Sequence, residues 1–346
     1  MQLESFSTNL IKHILKTTRV ISMKRTFKKL ILSIALSMGT VGSISLINQT
    51  HAASATIDIQ SVLQQERTWA GLQSKRLKVA DIDWAYSEGG QIGKPTLMLV
   101  HGLAGSRDNW NRLARYLTPY YHVIIPDLPG QGDSKVTADF DYSIPNMTEK
   151  LRRFAEAAKI ENGLHVAGHS MGGSIALLYA AQYPVDSKSL FLIDSAGVFK
   201  SANTPYLKDP TSLRNMIVSK PGDLDRLLKI ATNIPPFIPK ELKDSQEKLM
   251  ISQSANTSKL VEQLILMSKV YTPDTFALAA RSIDQPVLIA WGEKDQIINV
   301  EAATELKGLL KNSKDPIILK GVGHMPLLEQ EQLLVKPYLD FLSTVK

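Results

Sequence analysis

The run Leu164-His165-Val166-Ala167-Gly168-His169-Ser170-Met171-Gly172-Gly173 decides how this chain is read. Leu164–Gly168 is short and nearly all apolar, as suits a strand buried on both faces of a sheet. Ser170–Gln182 then patterns as a helix. A strand that becomes a helix within so few residues must pass through a tight, strained turn, and Ser170 stands at its apex. Gly168 and Gly172, two positions before and after the serine, permit the close approach and leave its Oγ exposed at the helix N-terminus. The G-x-S-x-G pattern alone is weak, but its strand–turn–helix setting makes Ser170 the candidate nucleophile.

Working outward, the same type of run recurs at Thr96–Val100, His122–Pro126, Leu190–Ile193, Pro286–Trp291 and Pro316–Leu319. Helical patterns lie between them at Asn109–Leu117, Met147–Ala158, Val300–Leu310 and Glu329–Ser343. Lys78–Ala80 and Ile82–Tyr86 read as a short hairpin, and 56–76 as polar helix or irregular chain. The alternation predicts an α/β fold: an open, mostly parallel sheet flanked by helices over 53–346. It fails between about 199 and 276, where Pro221-Gly222, Pro235-Pro236 and Pro239 punctuate helical stretches without a convincing strand. That segment reads as a helical cap inserted before the acid-bearing strand, over the sheet's carboxyl edge. Ligands of open α/β sheets bind outside that edge.

A serine nucleophile needs a base and an orienting acid, in the chain order Ser, Asp/Glu, His on such a sheet. Of seven histidines, His13 and His51 precede the body. His101 and His169 flank candidate backbone donors and the serine, His122 begins a strand at the wrong end, and His165 lies inside one. His324 remains, in Gly321-Val322-Gly323-His324-Met325-Pro326, directly after the last strand, and is the candidate base. Trp291-Gly292-Glu293-Lys294-Asp295 offers the acid. Asp295 is preferred, with Glu293, nearer the strand end, and Asp194, at the end of Leu190–Ile193, as alternatives. Backbone N–H groups of Met171 and of Leu103, in the loop His101–Ser106, are placed to receive a developing oxyanion. No G-x-x-x-x-G-K-[ST] or G-x-G-x-x-G is present to make that loop a phosphate site. Asp127–Ser134 (DLPGQGDS) reads as a structural turn supporting the nucleophile; a metal there would have no His or Cys partner nearby.

These motifs, in this order, resemble the α/β-hydrolase family. Gly105–Pro129 and the GHSMGG elbow are similar to the cold-adapted Gram-negative lipases grouped as bacterial lipase family V. The resemblance covers about 95–198 and 280–345, while the cap is similar only in kind. It implies a carboxylic-ester hydrolase, with triacylglycerol lipase favoured, acting without a cofactor or metal through Ser170, Asp295 and His324, with Leu103 and Met171 as oxyanion donors. Dehalogenases and epoxide hydrolases of this fold use an aspartate nucleophile, which Ser170 opposes. Amide, peptide and carbon–carbon hydrolases keep the same triad, so the motifs leave them open, along with a non-catalytic binding protein. The cap supplies Leu224, Leu227, Leu228 and Ile230, then Asn233–Pro239, then Leu260, Val261, Leu264, Ile265 and Met267. This spacing serves core packing or an apolar acyl groove beneath a lid, and the groove would favour lipid esters.

Charge separates address from body. The chain of 346 residues carries a formal +7. Residues 1–53 hold seven basic residues against Glu4, so six of those net charges sit there and the body is near neutral. No basic face for nucleic acid is expected. From Met23, the expected start, Lys24, Arg25, Lys28 and Lys29 precede the apolar Leu30–Met38, and small residues lead to Ala52. This reads as a secretory signal within a leader of 1–52, cleaved after Ala52, or failing that after Ala55, giving a secreted or periplasmic protein. Gly39, Thr40, Gly42 and Ser43 interrupt the apolar run short of a stable transmembrane anchor. The absence of cysteine excludes disulfides, thiolate metal sites and a cysteine nucleophile.

Overall fold

The computed structural model describes residues 58–345; the leader and both candidate cleavage points lie outside the described residues. Eight strands form one sheet: β1 (Leu72–Val79), β2 (Ile82–Gly89), β3 (Thr96–Val100), β4 (His122–Pro126), β5 (Leu164–His169), β6 (Ser187–Ile193), β7 (Val287–Gly292) and β8 (Ile317–Leu319). Their spatial order is β1-β2-β4-β3-β5-β6-β7-β8. The β1–β2 hairpin and the β2–β4 pair are antiparallel, and the remaining pairs are parallel. The expected α/β architecture is the one observed.

The apolar runs form strands because both faces of the sheet are covered. Met98, Val100, Leu190, Leu192, Val287 and Ile289 face one layer of core. Leu97, Leu99, Phe191, Ile193, Leu288 and Ala290, each adjacent in sequence to a member of the first set, face the other. Side chains alternate along a strand, so a strand buried twice must be apolar at every position. On the first face lie α3 (Ile144–Ala157) and α4 (Met171–Gln182). α3 reads with helical period through Met147, Leu151 and Phe154, and Ser143 caps its start by accepting from Asn146 N. The second face is covered by α2 (Asn111–Leu117) and α11 (Gln332–Thr344).

One element, the first strand, differs from the sequence reading. Residues 56–76 hold helix α1 (Ile59–Trp69), but β1 begins at Leu72 and pairs with β2 over eight positions. β1 is the edge strand, and of its residues only Leu72 is buried. Its polar side chains carry no apolar signature, and ion pairs such as Lys75–Glu88 (2.5 Å) and Arg76–Asp83 (2.6 Å) line the hairpin. Such charge suits an exposed edge.

Between β6 and β7 the chain forms α5 (Pro205–Lys208), a 3-10 turn (Pro210–Met216), α6 (Asp223–Ala231), α7 (Lys240–Met267) and α8 (Pro273–Arg281). α6 buries Leu224, Leu227 and Ala231 in a small apolar cluster with Val218. Leu260 of α7 and Ala280 of α8 join the main core, and Val261 beside Leu260 is buried as well. After β7 come α9 (Glu301–Leu309), then β8 and α10 (Pro326–Glu329). No helix among the described residues is long and apolar enough to cross a membrane.

The Asp127–Ser134 turn is wound around a carboxylate, as its structural reading requires. Asp127 is fully buried; its Oδ1 accepts from Arg107 N (2.6 Å), its Oδ2 accepts from Asp133 N (2.8 Å), and the Arg107 guanidinium bonds it directly. Gly132 (φ +54°) passes so close that a Cβ would lie 2.2 Å from Asp127 Cγ. Burial pushes Asp127 up to about 6 against the pull of Arg107, so it is ionised at neutral pH and depends on that partner. Arg107→Ala is expected to cost about 3–5 kcal/mol in urea unfolding, because it strands a buried carboxylate. A loss within 1 kcal/mol would show that the pair bears no load.

Candidate active site

Ser170 has φ 54° and ψ −124°, a conformation costly for a residue with a Cβ. Four backbone bonds hold it there: its N–H donates to Ile193 O (3.0 Å), and its carbonyl accepts from Gly173 N (2.8 Å), Ala196 N (2.9 Å) and Ser174 N (3.4 Å). The glycines around it fill no space because none exists. A Cβ on Gly168 would meet Gly172 O at 2.2 Å, one on Gly172 would meet Val100 O at 2.3 Å, and one on Gly173 would meet Ser195 Oγ at 2.4 Å.

Three loops at the carboxyl ends of β5, β7 and β8 converge on the serine. Ser170 Oγ lies 2.9 Å from His324 Nε2, and His324 Nδ1 lies 2.7 Å from Asp295 Oδ2. The Oδ1 of Asp295 accepts the N–H groups of Ile297 (2.8 Å) and Ile298 (2.9 Å). All three side chains are buried. With the Asp295 carboxylate accepting, the imidazole carries its proton on Nδ1, toward Asp295, which leaves Nε2 free to accept from the serine. Of the alternative acids, Glu293 faces solvent and accepts from Gly321 N (3.0 Å), bracing the histidine loop. Asp194 lies buried behind the pair, with Oδ1 accepting from Gly292 N (2.8 Å).

The loop carrying Leu103 packs onto Ser170: a Cβ on Gly102 would sit 3.0 Å from Ser170 Cβ. Met171 is the first residue of α4, so its N–H has no intrahelical acceptor. Leu103, Ser170 and His324 line one cavity of about 310 Å³. Its walls are largely apolar, with Leu224, Leu227 and Leu228 from α6 and Leu242, Leu249 and Met250 from α7. Ile59, Val62 and Leu63 of α1 close another side. Glu66, Arg67, Asp108 and Arg112 form a polar margin.

The sequence reading gave the side chains of His101 and His169 no task, yet each braces the site. His101 Nδ1–H donates to Gly102 O (2.8 Å) while its Nε2 accepts from Leu128 N (2.9 Å), tying the Leu103 loop to the Asp127 turn. His169 Nε2–H donates to His324 O (2.7 Å) and fixes the backbone of the candidate base. Burial pushes His101 down to about 4. It pushes His169 down to about 3, helped by the neighbouring His324. Their one available signal was adjacency, each standing beside a glycine or serine of a site motif. Glu329 adds a third brace, accepting from Gly323 N (2.9 Å) and, across to the helical insertion, from Asn233 N (2.9 Å).

With this geometry in place, residues 95–331 match the family model of the alpha/beta hydrolase fold. The chain belongs to the α/β-hydrolase family. Among its relatives, Lipase 1 of Psychrobacter immobilis is 33% identical over 319 residues, covering 90% of this chain and 98% of the relative. A solved structure from Acinetobacter baumannii AYE, described as a candidate lipase, is 63% identical with a TM-score of 0.82, covering 84% of this chain and 98% of the other. A solved membrane phospholipase A, described as a bacterial virulence factor, is 33% identical with a TM-score of 0.78, covering 92% and 98%. This α/β-hydrolase therefore aligns with lipase-named proteins over nearly their whole length.

The neutral braces carry a pH signature. An unfolded imidazole titrates near 6.5, whereas native His169 resists protonation down to about 3. The unfolded chain thus binds a proton that the native one does not, and stability falls as pH drops below 6.5. In His169→Gln the amide N–H can still reach His324 O. The unfolding free energy lost between pH 7 and pH 4.5 is expected to shrink by about 2 kcal/mol relative to wild type. An unchanged difference would contradict a neutral, buried His169.

Proposed function

We propose that this α/β-hydrolase is an exported serine hydrolase of fatty-acyl carboxylic esters, triacylglycerols being the favoured substrates. The observation that carries the reading is the Asp295–His324–Ser170 relay, with contacts of 2.7 and 2.9 Å, on the floor of a largely apolar cavity. The lipase names of its relatives support the bond type.

His324 Nε2 takes the Oγ proton of Ser170 as Oγ attacks the ester carbonyl. The N–H groups of Leu103 and Met171 receive the oxyanion, and Asp295 steadies the imidazolium. His324 then hands the proton to the departing alcohol, which leaves an acyl group on Ser170. Water, deprotonated by the same base, releases the acid and restores the serine. No step calls for a metal or a cofactor.

The insertion at about 199–276 is read as the cap, with α6 and the first half of α7 receiving the acyl chain. Apolar walls gain affinity with each methylene they bury, about 0.8 kcal/mol for full burial, so the substrate class is an ester with an extended acyl chain. The leader pattern at Lys24–Ala52 supports export, and the near-neutral body suits diffusion to uncharged esters. Nucleic acid is not a proposed partner.

Two measurements test the reading. Ser170→Ala is expected to keep the fold and lose about 10⁴-fold or more in ester turnover; unchanged turnover would defeat it. Across p-nitrophenyl esters from butyrate to palmitate, kcat/KM is expected to peak above the shortest chain. Negligible turnover of the whole series would remove fatty-acyl esters as substrates.

A further inference from the structure

Asp194, the first residue after β6, is a second acid beside the relay that the reaction above does not use. It is completely buried and has φ +43°, a left-handed backbone rare for a residue with a Cβ. Its Oδ1 accepts one N–H, from Gly292, and its buried Oδ2 receives none. One carboxylate oxygen from each of Asp194 and Asp295 and a ring nitrogen of His324 all lie within 4.8 Å of one another. Two carboxylates this close in a dry site cannot both stay ionised.

The donors decide which one keeps the charge. Asp295 accepts two backbone N–H groups and the imidazole N–H, whereas Asp194 accepts one N–H. Burial, and then the charge on Asp295, hold the Asp194 carboxyl well above the carboxylate range; Glu329 pushes it the same way. The other titratable group at this place, the buried Tyr206, is kept neutral by burial and spends its O–H on Gly197 O (2.7 Å).

We propose that Asp194 is a neutral carboxylic acid in the working enzyme and a positioning residue of the relay, its Oδ2–H directed at the Asp295 carboxylate. With Asp194 neutral, the imidazolium formed during acyl transfer faces one negative charge. With Asp194 ionised it would face two, and the base would be held protonated to higher pH. The inference rests on the serine-hydrolase reading for its functional meaning, while the protonation state can be observed without any turnover.

The test uses the full protein with Asp194→Asn and Asp194→Ala. Asparagine is neutral, fits the site and places an N–H where the acid has its O–H. It is expected to keep kcat within about threefold and to leave the acid limb of the pH–rate profile in place. Alanine removes the donor; kcat is expected to fall about tenfold or more at unchanged KM, with the acid limb displaced to higher pH. Infrared difference spectra at pH 8 are expected to show a protonated-carboxyl C=O band in wild type that is missing in Asp194→Asn. An acid limb that moves down by about one pH unit in Asp194→Asn would mean that a charge had been removed, and would overturn the proposal. An unchanged infrared spectrum, or an alanine variant indistinguishable from the asparagine one, would also overturn it. Should alanine fail to fold, the asparagine profile and the infrared band still decide. Loss of the serine-hydrolase reading would appear separately, as ester turnover that survives Ser170→Ala.

Discussion

The close approach of backbone at the Ser170 turn is the constraint on which the rest depends. Gly168, Gly172 and Gly173 let β5, α4 and the ends of β3 and β6 meet at distances that leave no room for a Cβ. That contact holds Ser170 in its strained conformation, with the cost offset by four backbone hydrogen bonds and by the buried, apolar α4 behind it. Because β3, β5, β6 and β7 are parallel neighbours, their carboxyl ends and the loops after them fall along one edge. The relay is therefore assembled from residues 29 to 154 positions apart without any one loop having to be long.

A second requirement is dryness. Ser170, Asp295 and His324 are buried together with His101, His169 and Asp194, a density of polar groups that an apolar interior tolerates only when they are hydrogen-bonded. The structure meets this by dividing the labour. Asp295 gathers three donors, while His101 and His169 remain neutral and act through their hydrogen bonds. His324 is the ring aimed at the serine, and the neighbouring imidazoles hold its loop and the Leu103 loop in place.

Much of this was legible in the sequence. The core strands declared themselves because burial on both faces demands apolar residues throughout, and Ser170, Asp295 and His324 because each lies in the turn or loop that follows an apolar run. β1 did not, since an edge strand with one buried residue has no pattern to read. The same holds for Ile59, Val62 and Leu63, whose place on the cavity wall depends on where α1 docks. The ring contacts of His101 and His169 were hidden because their partners, Leu128 and His324, are 27 and 155 positions away. Asp194 stood out as a possible acid, but the presence of Asp295 beside it, and hence its different charge, emerges only from the packing of β6 against β7.

The most direct measurement is covalent capture by a p-nitrophenyl phosphonate ester followed by peptide mass mapping. The account predicts release of p-nitrophenol with a single adduct on Ser170, and almost no labelling of a folded His324→Ala variant. An adduct on another residue, or undiminished labelling without His324, would contradict it.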